Sequence, residues 1–189
     1  MSEDHMAHET NNKPVAMLIA LLALVLAFAE AGANNARNIS IEKNIEASNL
    51  WAFFQAKTIR RTVLLTAGDA AQLNTAALTD PAQKEAVAKQ LDAWKSAAAR
   101  YQSEPSTNEG TKELAERAKK AEEARDLAHT RFEIYELATH GLQIGIVLAS
   151  AMVITGIAAL VWLAGALGIG SAVLMGFAKF APLALPFMH

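Results

Sequence analysis

Two long apolar stretches, one near each end of the chain, limit its folds more than any other feature. Residues 15–29 are all apolar, and with the next four they approach the ~20 residues that carry a helix across ~30 Å of hydrocarbon. Residues 142–178 hold Gln143 as their strongly polar side chain and are nearly twice as long as one crossing requires. Between them lies the charge. Of the 17 Lys and Arg, all but Lys13 and Lys179 fall between the two stretches, as do all of the 19 acids except Glu3, Asp4, Glu9 and Glu30. Apolar residues gathered into blocks, not spread at a surface-helix period, mark a membrane protein.

The expected fold is therefore an all-α membrane protein, with one N-terminal and two C-terminal transmembrane helices flanking a long antiparallel, coiled-coil-like helical hairpin. Its parts are a polar tail (residues 1–13), a first span (14–33), a helical middle (34–136), a second span (137–164), and a Gly-rich turn with a transmembrane or re-entrant helix (165–189). Pro14 suits the first turn of a helix. A cleaved signal peptide is the rival reading of the first span, since Ala27-Phe28-Ala29 fits a small-x-small cleavage site. The acidic segment before it argues against that, because a signal peptide begins basic. Gly165, Gly168, Gly170 and Ser171 are the expected turn between the last two spans, which leaves the third short and puts Lys179 at a costly depth. Glu30 and Lys179 are the acid and the base of the apolar spans; independent snorkelling of each to the headgroups is the first reading, and an intramembrane pair is the other.

In the middle, good helix formers run without proline from residue 34 to Pro81, with Gly68 as the expected kink. A 4-3 pattern through Ile41, Ile45, Ser48, Ala52, Gln55, Ile59, Thr62 and Thr66 predicts the packing seam of this limb. Asp80, Pro81 and Gln83 read as N-cap, first helical residue and capping-box partner. The helix they start carries Val87, Leu91, Trp94, Ala98 and Tyr101 on one stripe and stops before Pro105. Ser106 with Glu109 predicts the next start, and Leu114, Ala118, Ala121, Arg125, Ala128, Phe132 and Tyr135 repeat the 4-3 spacing. At 1.5 Å per residue the outward limb reaches roughly 65 Å, close to the sum of about 36 Å and about 45 Å for the two returning pieces. That favours a hairpin with an interrupted return over three helices side by side, unless Gly68 breaks the first limb.

Such a hairpin buries little apolar surface by itself. Homo-oligomerisation is the consequence expected, with Trp51, Phe53, Phe54, Trp94, Tyr101, Phe132 and Tyr135 as the packing and interface residues. Lys57, Arg60 and Arg61, one turn apart, read as a solvated face or one ion-paired to neighbouring acids. Basic residues beside the spans (Arg37 and Lys43, Arg125 and Arg131, against Lys13) predict that the middle is cytoplasmic.

The search for chemistry comes out empty. No phosphate loop, nucleophile elbow or HExxH occurs, and with no cysteine there is no thiolate site. His5, His8 and Glu9 make only a weak metal signal, and His140 beside Gly141 fits a membrane interface. No catalytic, metal or cofactor site is expected, the protein is not expected to be an enzyme, and the near-neutral middle argues against nucleic acid as a partner. Residues 44–60, NIEASNLWAFFQAKTIR, together with the Ala29-Glu30 end of the first span, resemble a family of small bacterial inner-membrane proteins known as a domain of unknown function. The resemblance implies a multi-pass location in the bacterial cytoplasmic membrane, with the lipid bilayer as partner, and it supplies no activity and no site residue. Two functions are in contention. One is a membrane-anchored, self-associating scaffold or interaction protein, and the other is a subunit of a small oligomeric channel or transporter.

Overall fold

A computed structural model of the chain describes residues 2–184, with side chains from residue 13 onward. Four α-helices and one short 3-10 turn account for nearly all of these residues, and no strand occurs among them. The helices are α1 (Ser2–Thr75), α2 (Pro81–Gln102), α3 (Thr111–Thr155) and α4 (Ala159–Phe180). Three of them, α1, α3 and α4, are long and apolar enough to cross a membrane. Contacts divide the chain into two units, Met1–Ile41 with Arg125–His189, and Glu42–Ala124.

The first unit is apolar. Val15, Leu22 and Ala29 of α1 are buried against Leu142, Ala149 and Met152 of α3 and Ala164 of α4. Leu22 lies against both Gly145 and Gly168, while Gly141 meets Ser171 and Gly32 meets the Tyr135 ring. These pairs run α3 antiparallel to both α1 and α4. No more than 22% of the apolar window of any span is buried, so the greater part of this unit's apolar surface faces outward. Such a surface suits helices long and apolar enough to cross a membrane.

Several boundaries differ from the sequence expectation. α1 starts at Ser2, so Pro14 sits inside the helix and not in its first turn. The last two spans do not meet at Gly165–Ser171; α3 ends at Thr155, and Gly156, with φ 72°, makes the turn. That left-handed conformation is open to glycine and strained for other residues. Thr155 closes the turn, donating to the Ala151 carbonyl at 2.9 Å and accepting from the Ile157 N–H at 3.4 Å. The expected turn residues lie within α4, where Gly168 gives Leu22 its room. α4 has 22 residues, or ~33 Å, enough for a full crossing without re-entry. Lys179 falls in its last turn, not mid-span, and Pro182 follows the helix end. Residues 185–189 of the expected last segment are outside the described residues.

The second unit is built on α1. Its buried face passes through Ala47, Leu50, Phe54, Lys57, Arg61, Leu64 and Gly68 at alternating three- and four-residue steps. The seam predicted through Ile45, Ala52 and Ile59 is instead exposed, on the opposite side of the helix. Gly68 does not break the first limb: α1 continues to Thr75, and Leu91 packs over the glycine. Asp80 caps α2 as expected, accepting from the Ala82 N–H at 2.9 Å, and Gln83 stays exposed. Pairs that fall along α1 as they rise along the later chain (Gly68 with Leu91, Arg61 with Gln102, Trp51 with Glu122) run α2 and the start of α3 antiparallel to α1.

The Ser106–Glu109 capping box does not form. Asn108 has φ 55°, and both Thr107 and Asn108 donate backbone N–H groups to the Glu104 carbonyl, so α3 starts only at Thr111. Glu113 holds this loop, accepting from the Ser103 hydroxyl at 2.5 Å and the Glu104 N–H at 3.2 Å. Gly110 is buried under it, and a Cβ there would lie 2.6 Å from the backbone of Ser103 and Glu104. Since backbone does not yield as a side-chain tip does, Gly110→Ala is expected to destabilise this unit by about 1–3 kcal/mol, read as earlier thermal unfolding of the full chain in detergent. An unchanged transition would show that the loop has slack.

Candidate functional site

The densest set of specific side-chain interactions lies where α1 meets the end of α2 and the start of α3. Helical spacing places Leu50, Phe54 and Lys57 of α1 on one face, with Trp51 and Phe53 at its edges. Trp51 and Phe54 meet edge to face, 5.4 Å between centroids. The indole N–H of Trp51 donates to Glu122 Oε1 at 2.9 Å, so the ring packs on Leu114, Ala118 and Ala121 without stranding its one polar atom.

Lys57 is the unusual residue, a charged side chain only 6% exposed. Its ammonium has three sources of compensation. Glu109 Oε2 lies 3.3 Å from Nζ, the Phe53 ring centroid 4.9 Å away and the Tyr101 centroid 6.0 Å away. Cations over aromatic faces gain from the ring quadrupole, the more so where water is excluded. Arg61, one turn on, donates to Gln102 at 2.9 Å. Arg60 is exposed. The basic run thus divides, and the part that turns inward ties α1 to the returning chain.

The residues expected at packing or oligomer interfaces lie in several places. Trp51, Phe53, Phe54 and Tyr101 join around Lys57, whereas Trp94 is half-buried along α2. In the first unit, Phe132 stacks near His129 at 6.3 Å and Tyr135 covers Gly32. The Glu30–Lys179 pair is not made. Both side chains are exposed, Lys179 lies 5.5 Å from the Phe180 centroid, and no ion pair joins the two. A lysine in the last turn of a span reaches the headgroups by itself, which removes the need for an acid. The sequence did not single out Glu109, Glu113 and Glu122 as partners, because each is one acid among many on a charged returning limb.

Glu113 carries the clearest electrostatic signature. The Ser103 hydroxyl holds its carboxyl below the usual glutamate range; burial opposes this, and backbone N–H groups with nearby Lys112 add to the lowering. The folded chain therefore keeps Glu113 ionised at pH values where the unfolded chain protonates it. Its contribution is complete above the ordinary glutamate pKa and drains away as pH falls through the lowered value. Acidification into that window is expected to open the α2–α3 loop first, seen as proteolysis near Pro105, and Glu113→Gln should remove that pH dependence.

No group of three or more His, Asp or Glu that could hold a metal occurs among the described residues. His5, His8 and Glu9 lie outside the described side chains. The chain's sequence matches the family described as Domain of unknown function (DUF4337) over residues 11–181. It belongs to that family. No curated protein and no solved structure matches it. For this DUF4337 member, then, the lysine-centred cluster stands on its own chemistry. It holds a cation in place and, with Arg61 on Gln102, ties α1 to the returning chain.

Proposed function

We propose that the protein is a membrane-anchored, self-associating scaffold of the bacterial cytoplasmic membrane. Its charged middle is a coiled-coil-like helical hairpin held in the cytoplasm. The observation that carries this reading is the apolar surface left uncovered on the charged, water-facing unit. Ile45 is 55% exposed, Ile59 64%, Val63 60% and Leu73 79%, all on α1, with Phe53 and Leu65 of the same helix partly exposed beside them. Apolar residues gathered on one water-facing helix mark a surface that a partner covers. The basic residues beside the spans favour the cytoplasmic side.

A channel has less support. Gln143 and Ser150 share an exposed face of α3, but the Ser150 hydroxyl is already satisfied by the Ile146 carbonyl at 2.8 Å. Copy number in lipid tests the proposal. Single-molecule photobleaching of labelled protein in native membrane discs is expected to count two or more copies, and single-step bleaching throughout would reject self-association. A fluorescent protein fused to the C-terminus should be lit inside the cell if the topology holds.

A further inference from the structure

The side of α1 facing away from the intrachain seam has a heptad pattern of its own. Ile45, Asn49, Ala52, Ala56, Ile59 and Val63 follow 4-3 spacing, the pattern continues to Ala70, and every member is exposed. At 100° per residue this stripe lies opposite Leu50, Phe54, Lys57 and Arg61, so no part of the same unit covers it. Its distal half borders an open groove of about 550 Å³ lined by α1 residues including Ile59, Thr62, Val63, Thr66 and Ala70. The stripe carries no charge from Ile45 to Ala70, although Lys57, Arg60 and Arg61 lie on the same turns.

We propose that this stripe pairs with the same stripe of a second copy, as a parallel, in-register two-helix seam. The proposal rests on the self-association put forward above and names its surface. Three observations select a second copy over an unrelated helix. A symmetric seam sets each residue opposite itself, which penalises any charge on the line, and this line has none. Anchoring in one bilayer gives every copy of α1 the same direction and the same height, so the parallel register follows without further cost. In that register Asn49 meets Asn49 at a core position, where a single asparagine specifies alignment and a two-stranded state. Flanking positions agree, since Gln55 of one copy then faces Arg60 of the other and no like charges oppose.

The chain has no cysteine, so single cysteines can report the geometry directly. Ile45→Cys and Ile59→Cys are each expected to give disulfide-linked dimers on mild oxidation in membranes, with Lys89→Cys on exposed α2 linking at least about tenfold less. Equal linking at all three sites would overturn the seam. Linking of Ile45→Cys to Thr66→Cys in mixed samples, in preference to self-linking, would overturn its parallel direction. Ile59→Asp should lower the dimer fraction by about tenfold, because two carboxylates would be buried face to face, and Ile59 is exposed within its own chain, so helicity should be unchanged. A variant that stays dimeric refutes the proposal. Copy counting separates the two levels. An oligomer in which Ile59→Cys does not link leaves self-association standing and removes this surface, whereas a monomer removes both.

Discussion

Lys57→Glu is expected to destabilise the second, charged unit by roughly 3–5 kcal/mol, the cost typical of leaving a buried charge without its partner. The reversed side chain would place a carboxylate at a site 6% exposed, beside Glu109 and against the Phe53 and Tyr101 rings. Each of the three features that favours an ammonium disfavours a carboxylate there. Lys57→Met, which keeps the volume and removes the charge, should cost under about 1.5 kcal/mol, since Glu109 is half-exposed and regains water. Thermal unfolding of the full chain in detergent, followed by circular dichroism with limited proteolysis to locate the opened region, separates the two variants. Equal stability of Lys57→Glu and the wild type would show that Lys57 swings out to solvent. Combining Lys57→Glu with Glu109→Lys should recover part of the loss and not all of it, because the rings still prefer a cation at the inner site.

Trp51→Ala is the second large effect, at about 3–5 kcal/mol. It removes the edge-to-face contact with Phe54, opens a cavity over Leu114, Ala118 and Ala121, and leaves Glu122 without its indole donor. Trp51→Phe keeps most of the buried ring and loses the hydrogen bond, so about 1–1.5 kcal/mol is expected. The ordering Ala, then Phe, then wild type is the diagnostic result. If Phe proves as damaging as Ala, the bond to Glu122 governs the site and the packing does not.

Much of the local structure was legible in the residues. The apolar blocks announced helices of spanning length, and Asp80 with Pro81 marked the start of α2 to the residue, since an N-cap bond spans two residues and depends on little else. The Val87-to-Tyr101 stripe turned inward, with Ala98 buried and the rest half-buried. Failures came where one pattern had two solutions. α1 carries two 4-3 stripes, and the one chosen from sequence, anchored on Ile45 and Ile59, is the more aliphatic. The stripe that the chain itself covers holds Lys57 and Arg61, which no hydropathy pattern places inside. The turn between α3 and α4 was misplaced for a related reason. With glycines at 156, 165, 168 and 170 in an unbroken apolar run, composition favours the cluster over the single residue.

By itself, then, the sequence determined which segments are long and apolar enough to cross a membrane, the helical state of nearly every described residue, and the cap at Asp80, because hydrophobic length and capping bonds act within a few turns of one helix. The tertiary structure alone decided which face of α1 is spent within the chain, that the Lys57 ammonium is enclosed by Phe53, Tyr101 and Glu109, and that Gly156 adopts the left-handed turn. Those choices rest on contacts between residues 44 to 71 positions apart, or on which of several glycines a neighbouring helix leaves room to pack, and neither is encoded in local spacing.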